Sequence, residues 1–262
     1  MRENRVRTIC QNGGAVINGW LGIPSSYSAE LMCHAGFDSM TIDMQHGAMN
    51  YDVAFPMLQA ISTTDVTPLT RVPWNEPGII GKVLDAGSYG IICPMVNSRA
   101  ESEALVRACK YPPLGSRSNG PNRARLYGGA DYGTAANDTV LALAMIETAE
   151  AMQNLDDILS TPGLDGVYVG PADLSISLKN SMPPDPMGAQ AMEAIQKVAQ
   201  ACQRHGVIAG IHCMSAQHTV DMIGLGYQFV TLQSDAAFLG AQANAMVAEV
   251  RGSEAKASPK MY

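Results

Sequence analysis

The sequence contains no uninterrupted apolar run of about 18 residues, so no segment reads as a membrane-spanning helix. Basic residues are outnumbered, 17 Lys plus Arg against 24 Asp plus Glu, and the net charge of −7 excludes the positive field that gathers nucleic acid. Cys-x-x-Cys spacing is absent: Cys10, Cys33, Cys93, Cys109, Cys202 and Cys213 mostly sit inside apolar segments, as reduced, buried thiols do. Gly-x-Ser-x-Gly, His-Glu-x-x-His and the Gly-x-x-x-x-Gly-Lys-Ser/Thr phosphate loop are also missing, which removes the common signatures of serine hydrolases, zinc proteases and P-loop enzymes. The opening Met1-Arg2-Glu3-Asn4-Arg5 leads into no signal-peptide core, so the expected location is the cytoplasm, with no membrane and no nucleic-acid partner.

What is present is a long alternation. Short apolar, often β-branched runs at 15–21, 39–43, 67–72, 90–96, 140–147, 166–170, 207–213 and 228–233 are separated by amphipathic stretches, among them 28–35, 51–61, 100–109, 187–205, 216–225 and 236–250. Eight strand–helix repeats in 262 residues, with no Gly-x-Gly-x-x-Gly after the first, predict an α/β chain folded as one (β/α)8 TIM barrel over residues 1–251. Residues 111–137, rich in Pro, Gly, Asn and Arg, read as a long loop, and 252–262 as a polar C-terminal tail.

Chemistry in such a barrel sits at the C-terminal ends of strands, so polar residues that end an apolar run are the candidates. Glu147 follows one run and Asp173 the next; either alone could simply cap a helix, but on consecutive strands they favour a hard divalent cation, magnesium or manganese. Arg71 offers a planar cation to a carboxylate or enolate oxygen, or a salt bridge to a rim acid. His46 is a candidate acid/base, with Asp43 three residues earlier to orient its ring. Gly170-Pro171-Ala172 is a strand-to-helix turn whose amides can face an anion. His212-Cys213 has no second pair to complete a soft-metal site, and Arg117, Arg123 and Arg125 form a basic patch better suited to a solvated or subunit-contacting face than to substrate. Lys82, Lys110, Lys179 and Lys197 fall away from strand ends, against Schiff-base chemistry.

Trp20-Leu21-Gly22 with Tyr27-Ser28-Ala29-Glu30, Ile42-Asp43-x-x-His46, Arg71-Val72, Leu84-Asp85-Ala86-Gly87, Pro94-Met95-Val96, Tyr111-Pro112-Pro113-x-Gly115-x-Arg117, Ile146-Glu147-Thr148 and Val169-Gly170-Pro171-Ala172-Asp173-Leu174 occur in one order. In that order they resemble the HpcH/HpaI family of class II pyruvate aldolases over about residues 5–250. The resemblance implies an enzyme that reversibly cleaves 4-hydroxy-2-oxoacids to pyruvate and an aldehyde, with Glu147 and Asp173 as ligands of Mg2+ or Mn2+, or of Co2+ or Zn2+. It implies that Arg71 neutralises the enolate, that Trp20, Gly170, Pro171 and Ala172 bind substrate, and that His46 moves the proton. It further implies a homo-hexamer, a trimer of dimers, in which a C-terminal helix is exchanged and Asp85 reaches a neighbour's histidine, a rival to Asp43 as its orienting carboxylate. Met145 and Gln45 depart from the family, where glutamine and glutamate are frequent, and His212-Cys213-Met214 on the aldehyde side is unmatched. Alternatives are an oxaloacetate decarboxylase or citrate-lyase-type acyl-CoA lyase on the same barrel and, from another class, a catalytically silent binding barrel.

Overall fold

The computed structural model describes residues 1–252; the tail expected over 252–262 lies, beyond Gly252, outside the described residues. Eight strands form a closed, all-parallel barrel in chain order: β1 (Val16–Leu21), β2 (Ser39–Asp43), β3 (Thr67–Arg71), β4 (Gly90–Cys93), β5 (Leu141–Ile146), β6 (Gly166–Val169), β7 (Ile208–Cys213) and β8 (Phe229–Ser234). Each matches an apolar run in the sequence, and β8 closes on β1 through an irregular register between Asn18 and Trp20. The helices are α1 (Arg5–Gln11), α2 (Ser26–Cys33), α3 (Tyr51–Ile61), α4 (Pro77–Asp85), α5 (Arg99–Cys109), α6 (Asn122–Gly128), α7 (Tyr132–Thr139), α8 (Ala149–Gln153), α9 (Leu155–Leu159), α10 (Pro171–Lys179), α11 (Ala189–His205), α12 (Ala216–Gly224) and α13 (Asp235–Arg251).

Local chemistry explains the helix starts. Ser25, Asn50, Ser98, Thr148, Ser215 and Ser234 each accept an amide N–H with the side chain, and Ser98 with Glu101 forms a reciprocal capping box. The expected loop over 111–137 needs correction, because it contains α6 and the start of α7. Glycines and a proline mask the helical signal there, and tertiary contacts hold the segment in place. Tyr132 and Ala124 pack into the core, and Asn137 exchanges side-chain hydrogen bonds with the Tyr111 backbone (2.7 and 3.0 Å).

Strand side chains alternate between two environments. One parity (Ala142, Ala144, Ile146, Val167, Val169, Ile211, Cys213) packs outward against the helices. The other parity (Val16, Leu69, Ile92, Leu141, Leu143, Met145, Tyr168, Phe229) fills the barrel interior, and Val6 and Cys10 of α1 join that cluster from the N-terminal end. All six cysteines are free and buried, as expected. No helix among the described residues is long and apolar enough to cross a membrane.

Candidate active site

The inward parity that fills the barrel continues to the C-terminal rim, where it turns polar: Trp20 on β1, Asp43 on β2, Arg71 on β3, Glu147 just past β5, Tyr168 and Gly170 on and after β6, and His212 on β7. These seven side chains or backbones, with His46, Pro171, Ala172 and Asp173, line one cavity of about 290 Å³. The structure therefore brings together every site residue expected from the sequence except Asp85.

Asp43 and Arg71 are register partners on adjacent strands. Arg71 donates from Nε to Asp43 Oδ1 (2.8 Å) and from Nη2 to Oδ2 (2.6 Å), a bidentate pair in which both residues are buried. Trp20 Nε1 donates to the same Oδ2 (3.2 Å), and the Arg71 guanidinium lies 4.8 Å from the Trp20 ring centroid. Burial on its own would raise the Asp43 carboxyl, but the Arg71 hydrogen bonds and charge outweigh it and hold the group below the usual range. Backbone amides of Gln45 (3.1 Å) and His46 (3.3 Å) also donate to Oδ1. Asp43 thus fixes Arg71, Trp20 and the chain entering the His46 loop. His46 itself is exposed at the rim.

Glu147 is buried, and its Oε1 accepts the Met95 N–H at 2.7 Å. Met95 has φ +55°, a backbone conformation that costs a non-glycine residue energy and turns this amide toward the carboxylate. The other oxygen, Oε2, lies against Gly170, where an added Cβ would stand 2.6 Å from it. Burial pushes the Glu147 carboxyl up to about 7; the Met95 amide opposes the shift, Asp173 reinforces it and Arg71 opposes it. A carboxylate raised by burial and by a second acid, with one oxygen held and the other turned to an open cavity, is a group in want of a cation. Among the described residues no group of three or more His, Cys, Asp or Glu is placed to hold a metal. A cation here would rest on Glu147 and Asp173 plus water and substrate oxygens, a coordination that suits hard ions. The residues fit such an ion.

Asp173 is exposed in the first turn of α10, whose N-cap Gly170 has no side-chain cap and whose first residue is Pro171. Its free amides beyond Pro171 are the ones that can meet an anion. Met145, the departure from the family, is buried on the cavity wall, and Gln45 buries Oε1 with no hydrogen-bond partner.

Other candidates separate cleanly. Asp85 lies outside the cavity at the end of α4 and pairs with buried Arg117 (2.7 Å). The basic patch is not one surface: Arg117 is buried over Tyr111 and Tyr132, Arg123 donates to Ala86 and Leu58 carbonyls, and only Arg125 is exposed. Cys213 points away from His212 into the outer core, so no His–Cys metal pair forms. Buried Lys110 donates to the Asn137 (2.9 Å) and Val140 (2.5 Å) carbonyls and pairs with Asp165. None of the four lysines lines the cavity. Sequence reading missed Tyr168 and the Met95 amide. Tyr168 is discoverable from parity, two residues before Gly170; the Met95 amide depends on a backbone angle that no side chain announces.

Comparison with known proteins finds relatives over nearly the whole chain. The chain is 41% identical to a hydroxypyruvate/pyruvate aldolase of Rhizorhabdus wittichii, over 95% of this chain and 99% of that one. It is 36% identical to a 4-hydroxy-2-oxo-heptane-1,7-dioate aldolase of Escherichia coli, over 99% and 100%. A crystal structure of an HpcH/HpaI aldolase/citrate lyase family protein from Burkholderia cenocepacia superposes with a TM-score of 0.87 at 28% identity, covering 94% of this chain and 98% of that one. The model of the HpcH/HpaI aldolase/citrate lyase family matches residues 18–240, spanning all eight strands but the first two residues of β1, and the chain belongs to that family.

Proposed function

We propose that this chain is a divalent-metal-dependent pyruvate aldolase, cleaving a 4-hydroxy-2-oxoacid between C3 and C4 to give pyruvate and an aldehyde, and running the reverse addition. One observation carries the reading: the buried, raised Glu147 carboxylate opens toward Gly170 and Asp173 in the same cavity as the Arg71–Asp43 pair. The names of the two aldolase relatives support it.

Glu147 and Asp173 would hold the ion, magnesium or manganese in preference to cobalt or zinc, which supplies Lewis-acid polarisation of the substrate keto oxygen. Amides at the start of α10 and the Gly170-Pro171-Ala172 turn receive the carboxylate. Arg71, fixed by Asp43 and pressed on Trp20, offers a rigid positive charge to the oxygen that gains charge when the C3–C4 electron pair moves into the enolate. His46 at the rim takes the proton from the C4 hydroxyl as the aldehyde leaves and returns it, directly or through water, to C3 of the enolate, which regenerates the neutral ring. Asp43, committed to Arg71, supports His46 through the backbone; Asp85 would reach a histidine only across a subunit contact.

An acyl-CoA lyase would want a basic entrance for its phosphates, and of the three arginines that would form one Arg117 is buried, Arg123 is tied to backbone carbonyls, and Arg125 alone is exposed. We also propose homo-oligomerisation through α13. Of its residues only Asp235 and Ala248 are buried, while Leu239, Met246, Val247 and Val250 are exposed, so the helix lacks a cover within its own barrel. A hexamer exchanging this helix fits that surface.

The deciding experiment is deuterium exchange at the pyruvate methyl, with and without EDTA, in wild type, Glu147→Ala and Asp173→Ala. Metal-dependent exchange lost in both variants is expected; EDTA-sensitive exchange retained in both would sink the assignment.

A further inference from the structure

Beneath the rim, polar side chains run across the barrel interior as two hydrogen-bonded arms that converge on Thr231. Ser39 Oγ (2.8 Å) and Thr41 Oγ1 (3.1 Å) donate to Asn18 Oδ1, and Asn18 Nδ2 donates to Thr231 Oγ1 (2.9 Å). Tyr168 Oη stands 2.7 Å from Thr231 Oγ1 and 3.3 Å from His212 Nδ1. Those two distances give the direction. A phenol donates more strongly than an aliphatic hydroxyl and accepts more weakly, so the short contact is Tyr168 donating to Thr231. A phenol donating to imidazole nitrogen would also be short; the longer contact suits a ring N–H donating to the phenol oxygen. His212 then carries its proton on Nδ1, and Nε2 keeps a bare lone pair.

The ring is fixed edge-on to Trp20, with centroids 5.3 Å apart and planes at 87°, and Gly210 keeps space for Tyr168, since a Cβ there would lie 2.9 Å from that ring. Nε2 makes no hydrogen bond to any described residue, nor is it sealed from solvent as the Nε2 of His218 is, and His212 lines the cavity. Burial, and then the Arg71 charge, lower the His212 pKa to about 4, so the ring stays neutral in ordinary buffers.

We propose that His212 Nε2 accepts a hydrogen bond from a substrate hydroxyl and so selects α-hydroxy carbonyl compounds, of the form HO–CH2–C(=O), over their deoxy counterparts. The inference rests on the aldolase reading above. An apolar residue at this place would leave such a hydroxyl unpaired; a neutral, oriented acceptor rewards it, and only it. The same group could belong to the donor, as in hydroxypyruvate, or to the acceptor, as in glycolaldehyde. Tyr168 is a positioning residue: without its oxygen the imidazole is free to move its proton to Nε2 and present a donor instead.

Pyruvate and hydroxypyruvate are each combined with acetaldehyde and glycolaldehyde, with Mn2+, and kcat/KM is compared between the hydroxylated and deoxy partner in each arm. Wild type is expected to favour the hydroxylated member in one arm by about 10-fold or more, the worth of one well-made hydrogen bond. His212→Phe and Tyr168→Phe should bring that ratio close to one, and His212→Asn, which keeps an acceptor, should restore part of it. Ratios unchanged in both arms in the two Phe variants overturn the proposal. Should wild type turn over none of the four pairs, the aldolase reading fails. Titration calorimetry of the same compounds then decides this proposal alone: it stands if wild type prefers the hydroxylated ligand and His212→Phe does not, and falls if they bind alike.

Discussion

Gly170 and Glu147 are in such close approach that the smallest possible side chain at residue 170 would put its Cβ 2.6 Å from Glu147 Oε2. Gly170→Ala is therefore expected to swing the carboxylate away from the cavity while leaving the barrel folded. Mn2+ affinity by calorimetry should fall at least about 10-fold, on the scale seen when residues that orient a ligand are lost. An unaltered affinity would show that Oε2 is not a ligand atom.

Removing Arg71 strands Asp43. With the guanidinium gone, a buried carboxylate keeps only Trp20 Nε1 and two amides, so Arg71→Ala should cost about 3 kcal/mol of stability, read from denaturant unfolding. Asp43→Asn in the same background should recover part of that loss. Aldol turnover should fall more than metal affinity, because Arg71 acts on the oxygen that gains charge rather than on the ion.

Two groups lining the cavity make opposite pH contributions in the metal-free protein. Glu147, raised to about 7 from 4.5, adds stability that is fully present below about 4.5 and is lost as pH rises through 7. His212, lowered to about 4 from 6.5, adds stability that is fully present above 6.5 and is lost as pH falls toward 4. Thermal unfolding of metal-free wild type between pH 5 and 8 should thus be flatter than either single effect. Glu147→Gln should become clearly more stable as pH rises, by on the order of 2 kcal/mol, and His212→Phe less stable; the reverse slopes would refute the assignment. Added Mn2+ competes with the Glu147 proton, so its protection of wild type should grow with pH.

Asp235 is a buried tie between the end of β8 and the loop after β1. It accepts from Gly22 N–H (2.8 Å), Ile23 N–H (3.2 Å), Ser28 Oγ (2.9 Å) and Ala236 N–H (2.8 Å). Asp235→Ala leaves those donors unpaired and should lower Tm by about 5–10 °C. Asp235→Asn, keeping one acceptor oxygen, should fall between.

The barrel was legible because its strands differ from its helices in length and period: all eight expected runs contain the observed strands to within a residue. Helices with mixed or interrupted patterns were harder to read. Arg5–Gln11 is a short helix without a long apolar stripe, and α6 and α7 hide among glycines. In the site, Glu147, Asp173, Arg71 and His46 betray themselves as polar residues ending apolar runs. The pairing of Asp43 with Arg71 does not, because the register that sets them opposite each other belongs to two strands at once. Nor does the Met95 amide, since a positive φ at methionine is a product of tertiary constraint.

Val6 and Cys10 of α1 close the N-terminal end of the barrel beneath the apolar interior. The cavity at the opposite rim is consequently a dead end, and both reactants of an addition must pass the same mouth. Whichever ligand sits deeper has to arrive first and depart last. Kinetics of the two-substrate direction should therefore be ordered, with the oxoacid leading and the aldehyde acting as its lid.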